Sequence, residues 1–340
     1  MSFNDSKGKQ SILSGLQPSG QLHIGNYFGS LKQFLSFQNN DNIAECYFMI
    51  ADVHSLNTIP NPNTLRAQTI NTVASLIGCG INKSTLFCQS HVPYHTELTS
   101  YLGSVVGIGR LERMTQFKDK SIKGSKESEN LALLSYPVLQ AADILLYQTN
   151  IVPVGIDQVQ HLELTKHIAQ RFNSLYNCKA FTLPEVLINK NAEKIMSLSD
   201  GKKKMSKSSL QQDSCVNLTD SNEQILKKLK KAKTDSINGI SYDESRPEIS
   251  NLVTILANCT NQTIQEVVNQ YQSYKNASFK QEIADALIAM IEPIRAKIEL
   301  YKSDERLLLS EMANGKERAL KESSKTIAIV KNAMGLLGCL

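Results

Sequence analysis

The sequence predicts an α/β protein: a parallel sheet flanked by helices, followed by an all-helical C-terminal domain. Three observations carry this. Short apolar strands alternate with helical stretches through the first half, strand signals stop near Ser209, and long helical patterns fill the remainder. No internal repeat at solenoid periods interrupts that order.

The first strand is SILSG (11–15), with a helix from Asn26, and the second is CYFMIAD (46–52), with a helix from Asn63. The third, TLFCQS (85–90), leads into another helix. Between Gly107 and Leu131 lies RLERMTQFKDKSIKGSKESEN, rich in charge and serine towards its end, which predicts a surface insertion with a flexible tip. IVPVG (151–155) then enters a long amphipathic helix on which Val159, Leu162, Ile168, Ala169 and Phe172 share one side. In the helical half, Phe279, Ile283, Leu287, Met290, Ile291, Ile294 and Ile298 mark one long buried face, and a further helix closes at AMGLLG.

With 340 residues, 41% of them hydrophobic, the chain can bury a sizeable core in two domains. No apolar run is long enough to cross a bilayer, and the polar start MSFNDSKGKQ does not read as a secretion signal, so no membrane association is expected. Seven scattered cysteines, never paired as C-x-x-C, argue against disulfides and against a structural zinc site. Buried, reduced thiols are the expectation. The net charge of +5 is mild, but Lys227, Lys228, Lys230, Lys231 and Lys233 crowd one short stretch. As a helix with Leu226 and Leu229 inward, it would present one basic face.

Two segments carry chemistry. SGLQPSGQLHIGNY runs from the first strand into a helix, a junction that leaves backbone N–H groups free to face an anion, with His23 and Asn26 as side-chain donors. Alone, it also fits a packed turn. Far along the chain, GKKKMSKSSL (201–210) gathers Lys202, Lys203, Lys204 and Lys207 around a small-residue loop, a cluster that a triphosphate would neutralise.

Together these segments resemble the paired signatures of class I aminoacyl-tRNA synthetases. The second is intact as Lys204-Met205-Ser206-Lys207-Ser208. The first ends in Asn26 where many members have His, and that form, in the setting QPSGxLxIGNY, looks like the tryptophanyl branch. LERMTQFKDK (111–120) and YPVLQAADILLYQTNIVPVGIDQVQHLELTKHIAQRFN (136–173) resemble the same branch, as do RPEISNL and AMGL more weakly. The resemblance covers essentially the whole chain. Departures are Ser209-Leu210 for the usual Asp-Pro, Ile156 for Glu, Gln140 for Met, and Glu248 for Gly.

The resemblance implies a Rossmann-type catalytic domain over 1–203, with an insertion at about 107–135 near a dimer interface. A mobile loop over 204–208 and a tRNA anticodon-binding helical domain over 209–340 would follow. The substrates would be ATP, L-tryptophan and tRNA(Trp), with Mg²⁺ held through ATP phosphates and no protein metal site. Lys204, Lys207, Asn26 and Lys120 would be catalytic, with Gln116 approaching beside Lys120. Gln17, Pro18, Ser19, Gly25, Asn26, Gly155, Ile156, Asp157, Ile195 and the loop Lys204, Met205, Ser206, Lys207 and Ser208 would bind ATP. Asp143 would accept the indole N–H, since an ionised carboxylate only accepts and indole only donates. Tyr136, Gln158 and His54 would hold the amino acid's polar groups, His54 being equally readable as a satisfied core histidine. A homodimer in bacterial cytoplasm, rather than an organellar matrix, is the expected setting. Three rivals stand: a tyrosyl enzyme, a small nucleotidyltransferase, and a non-catalytic paralogue that only binds.

Overall fold

The strand–helix alternation is realised in a computed structural model describing residues 9–118, 130–188, 194–206 and 212–337. Lys120, Lys207, Ser208 and the Ser209-Leu210 exit lie outside the described residues. β1 (Gln10–Leu16) is followed by α1 (Ile24–Asn26), a π-helical turn over Tyr27–Leu31 and α2 (Lys32–Gln38). β2 (Ile43–Ile50) leads to α3 (Pro62–Gly78), whose start is fixed by the Asn61 side chain accepting from the N–H groups of Asn63 and Thr64, with proline in the first turn. Next come β3 (Thr85–Cys88), α4 (Tyr94–Gly103), α5 (Ile108–Leu111), α6 (Leu131–Leu145), β4 (Ile151–Val154), α7 (Val159–Leu175) and β5 (Glu185–Ile188). The helical half is α8 (Asn222–Lys231), α9 (Pro247–Thr260), α10 (Ile264–Tyr271), α11 (Asn276–Ser303) and α12 (Glu305–Ala333).

The five strands pair in parallel in the order β3-β2-β1-β4-β5. Four of them coincide with the apolar segments read from the sequence, and β5 does not figure in that reading. Four residues long and at the sheet edge, β5 has only half-buried apolar side chains, too short a pattern to stand out. The chain winds outward from β1 through β2 to β3, then returns to the other side of β1 to lay down β4. At that reversal a crevice opens beyond the carboxyl ends of β1 and β4.

One face of the sheet packs through Ile12, Ile50 and Leu76 into a cluster that continues unbroken to Ile249, Val253, Ile283 and Ile298 of the helical half. The approach is close: a Cβ on Gly78 would lie 2.5 Å from Ile298 Cγ1. The opposite face buries Leu13, Phe87, Leu98, Ala141 and Ile168 among α4, α6 and α7. α12 closes the β3 edge, where a Cβ on Gly315 would collide with the Leu86 carbonyl, and where Arg318 pairs with Glu45 at 2.7 Å.

Candidate active site

A cavity of about 480 Å³ occupies the crevice. Its walls are the carboxyl end of β1 with Gln17, the end of β4 with Gly155, and one face of α6. On α6, Tyr136, Gln140 and Asp143 stand at i, i+4 and i+7, so one helical stripe delivers all three to the cavity. His54 closes one side and Gln116 another.

Asp143 is 2% exposed and held by three donors. Its Oδ1 accepts from Gln89 Nε2 at 2.8 Å and from His95 Nδ1 at 2.7 Å; its Oδ2 meets His54 Nε2 at 2.9 Å. Burial pushes its pKa up, but the hydrogen bonds and charge of His54 and His95 outweigh that and hold it down at about 2. A buried carboxylate thus stays ionised beside an otherwise apolar wall of Ile144, Phe48, Met49 and Val152.

Tyr136, 7% exposed, donates to Gln116 Oε1 at 3.2 Å and meets His161 Nε2 at 2.7 Å. Burial raises its phenol to about 12, so it remains neutral. Gln140 donates to Gln158 Oε1 at 3.3 Å, and Gln158 donates to Asp157 Oδ2 at 2.8 Å. This relay ties the exposed Asp157 to the cavity wall.

The two lysine- and histidine-bearing segments, distant in sequence, meet beside the cavity. A Cβ on Gly25 would lie 3.5 Å from Met205 Cβ. Asn26 Oδ1 accepts the His23 N–H at 3.2 Å, which leaves its amide N–H₂ to offer a ligand. Residues 195–205 fold as a hairpin, with Met205 N–H donating to the Ile195 carbonyl at 3.0 Å and Ser197 N–H to the Lys203 carbonyl at 2.8 Å. Asn251 of α9 grips that hairpin from behind, accepting from Met196 N–H at 2.8 Å and donating to the Met196 carbonyl at 3.0 Å. The chain after the loop then bridges back, pairing Leu218 with Leu22 and Val216 with Ile24.

Of the expected residues, Gln17, Gly155, Asp143, Tyr136, Gln158 and His54 line the one cavity. Gly25, Asn26, Ile195, Lys204 and Met205 group at its flank, with Met205 and Ile195 both 2% exposed and Lys204 exposed without an ion pair among the described residues. Pro18 is buried in the turn; Ser19, Ile156 and Asp157 are exposed and Ser206 points outward with Lys204. Lys120, Lys207 and Ser208 lie outside the described residues. His54 is both things the sequence allowed, an 8%-exposed satisfied histidine and a cavity wall. Gln89 and His95 escaped sequence reasoning. Gln89, directly after β3, could have been found from the rule that strand carboxyl ends face the site; His95, inside α4, carries no such signal.

The basic stretch corrects an expectation. Ile225 and Leu229, rather than Leu226 and Leu229, are its fully buried residues. Lys228 is buried, its Nζ 2.6 Å from Asp220; Lys231 pairs with Asp213 at 2.6 Å and Lys233 with Glu248 at 2.8 Å. Three of the five lysines are occupied by carboxylates, so the basic face reduces to Lys227 and Lys230. Among the described residues no group of three or more His, Cys, Asp or Glu could hold a metal ion, and no helix is long and apolar enough to cross a membrane.

The family model for class I tRNA synthetases (W and Y) matches residues 5–292. A tryptophan–tRNA ligase of Rickettsia conorii is 43% identical over 332 residues, covering 97% of this chain and 99% of that protein. One from Oceanobacillus iheyensis is 46% identical over 332 residues, 96% and 99% of the two chains. The solved tryptophanyl-tRNA synthetase of Campylobacter jejuni, complexed with ADP and tryptophan, aligns over 96% of this chain and 100% of that one, with TM-score 0.82 and 30% identity.

Proposed function

We infer the reaction from lineage: the chain belongs to the class I tRNA synthetases of the tryptophan and tyrosine family. It is an enzyme, an aminoacyl-tRNA ligase that activates L-tryptophan with ATP and transfers it to tRNA(Trp). In the first step the tryptophan carboxylate oxygen attacks the α-phosphorus. The new O–P bond forms as the bond to the bridging oxygen breaks, and pyrophosphate leaves. In the second, the 3′-terminal hydroxyl of tRNA attacks the adenylate carbonyl and AMP leaves. The carboxylate is already a nucleophile at neutral pH, so positioning and charge neutralisation carry the first step.

The observation that carries the specificity reading is the ionised Asp143 in the apolar cavity wall. An indole N–H satisfies its remaining lone pair, and an amino acid without a donor leaves it unpaired, the kind of penalty that discriminates by roughly 10⁴ to 10⁵ in sites built this way. Tyr136, Gln158 and His54 take the amino acid's remaining polar groups. ATP lies over Gln17, Pro18, Ser19, Gly25 and Asn26, with its ribose at Gly155, Ile156 and Asp157. Its adenine rests at Ile195, and its phosphates lie under Lys204, Met205, Ser206, Lys207 and Ser208. Lys204, Lys207, Asn26 and Lys120 neutralise the departing pyrophosphate. Mg²⁺ shared among phosphate oxygens adds to that neutralisation and takes its ligands from the nucleotide.

The same reading places 1–203 as the catalytic part, 204–208 as the moving loop and 209–340 as the anticodon-binding part, with tRNA phosphates on Lys227 and Lys230. A homodimer through the 107–135 insertion is supported by the exposed Ile108 and Leu131. Bacterial cytoplasm fits the bacterial relatives. Amino-acid-dependent exchange of labelled pyrophosphate into ATP tests the assignment. Exchange with tryptophan and not tyrosine, abolished by Asp143→Ala, is expected; exchange with tyrosine would move the chain to the sister activity, and none with either would make it a binding paralogue.

A further inference from the structure

The carboxylate of Asp143 is gripped unevenly. Oδ1 carries two donors, Gln89 Nε2 and His95 Nδ1, both from side chains that are 0% exposed and stand behind the cavity wall. Oδ2 carries one, His54 Nε2. Of the four lone-pair positions of an ionised carboxylate, this leaves one on Oδ2, and it is Asp143 and His54 that line the cavity while Gln89 and His95 do not.

His95 is itself locked. Its ring stacks on Phe87 at 5.9 Å between centroids and 26° between planes, and its Nε2 lies 2.9 Å from the Tyr147 hydroxyl. Burial drives the Tyr147 phenol well above its ordinary pKa, so the phenol keeps its proton and closes the Nε2 side of the ring. An ionised carboxylate only accepts, so the nitrogen facing it, Nδ1, carries a proton and donates it. A buried chain of groups therefore runs from Tyr147 through His95 to the carboxylate.

We propose that His95 is a positioning residue for tryptophan recognition: it never touches the amino acid, and by filling Oδ1 from behind it turns the single open lone pair of Oδ2 toward the indole N–H. The proposal rests on the reading of Asp143 as the indole acceptor. Without the Nδ1 donor, Oδ1 also has an open lone pair, and the acceptor on Oδ2 is no longer unique. The loss falls on discrimination between a ligand with the N–H and one without it, and leaves the handling of ATP unchanged.

The test uses the full-length enzyme and pyrophosphate exchange with tryptophan and with β-(3-benzothienyl)alanine, which keeps the ring shape and lacks the N–H. His95→Gln reproduces the Nε2 side and abandons Asp143; His95→Asn places an amide N–H where Nδ1 stands. His95→Gln should raise KM for tryptophan and cut the preference over the benzothienyl analogue roughly 10- to 100-fold, the range of one hydrogen bond to a charged group, with KM for ATP unchanged. His95→Asn should restore most of that preference, and Tyr147→Phe, which removes the hydrogen bond that steadies the far side of the ring, should lower it less. Equal preference in His95→Gln and wild type, or equal loss in His95→Gln and His95→Asn, would overturn the role of His95. Asp143→Ala is run alongside: if it retains the wild-type preference, the Asp143 reading itself has failed. Should His95→Gln not fold, the ordering of Asn, Phe and wild type decides.

Discussion

Asp143 shows how a single side chain sets both recognition and a pH response. Its folded-state pKa is depressed, so the stabilisation it gives is complete above the ordinary carboxylate range and is lost as pH falls from about 4 towards about 2. Replacing it with Asn removes that contribution. Urea unfolding at pH 5 and pH 3 should therefore show a larger drop in midpoint for the wild type than for Asp143→Asn; equal drops would mean that the carboxylate is not held by its histidines. The residue was legible in the sequence because a charge among Ala141, Ala142, Ile144, Leu145 and Leu146 has to be satisfied by something. Its partners were not. Gln89 and His95 lie 54 and 48 positions away, and only the carboxyl end of β3 and the packing of α4 on α6 bring them to the carboxylate.

Elements were legible where a pattern is long. The face Phe279 to Ile298 is buried as expected apart from the half-buried Met290, whereas β5 is too short to announce itself. Charge runs mislead for a related reason: sequence shows their sign and hides their partners. In α8 the buried Lys228–Asp220 pair is a rivet, further braced by Arg295, which donates to the Asp220 carbonyl and to Asn222. Removing one partner leaves an uncompensated buried charge, a loss of roughly 3–5 kcal/mol. Lys228→Ala should accordingly lower the thermal midpoint by many degrees, while Lys227→Ala one position away leaves it in place and instead weakens tRNA binding, with a shallower dependence on salt. Similar midpoints for both variants would contradict the pairing.

At the scale of the whole molecule, the two halves share one hydrophobic cluster, with α3 and α11 in contact at Gly78 and Ile298. The 1–203 part is separable in the reading of function and not in packing. Expressed alone, it should expose the apolar face of α3, bind hydrophobic dyes and aggregate, and the full chain should unfold in one calorimetric transition. A monomeric, cooperatively folded 1–203 fragment would show that the shared cluster is dispensable. That the sheet is parallel was readable from strand–helix alternation, because parallel strands need crossovers. The winding order, and with it the crevice between β1 and β4, emerged only from the pairing.

The seat of α12 against β3 also sets a timetable. β3 ends at Cys88, yet the helix that covers its outer edge, with Gly315 against the Leu86 carbonyl, starts only at Glu305. Until that helix has been made, the edge is an uncovered template for strand pairing with a neighbouring nascent chain. The interval between making an edge and making its cover is a cost that this architecture imposes on the cell, and one to be met by chaperones that shield the emerging sheet until α12 docks.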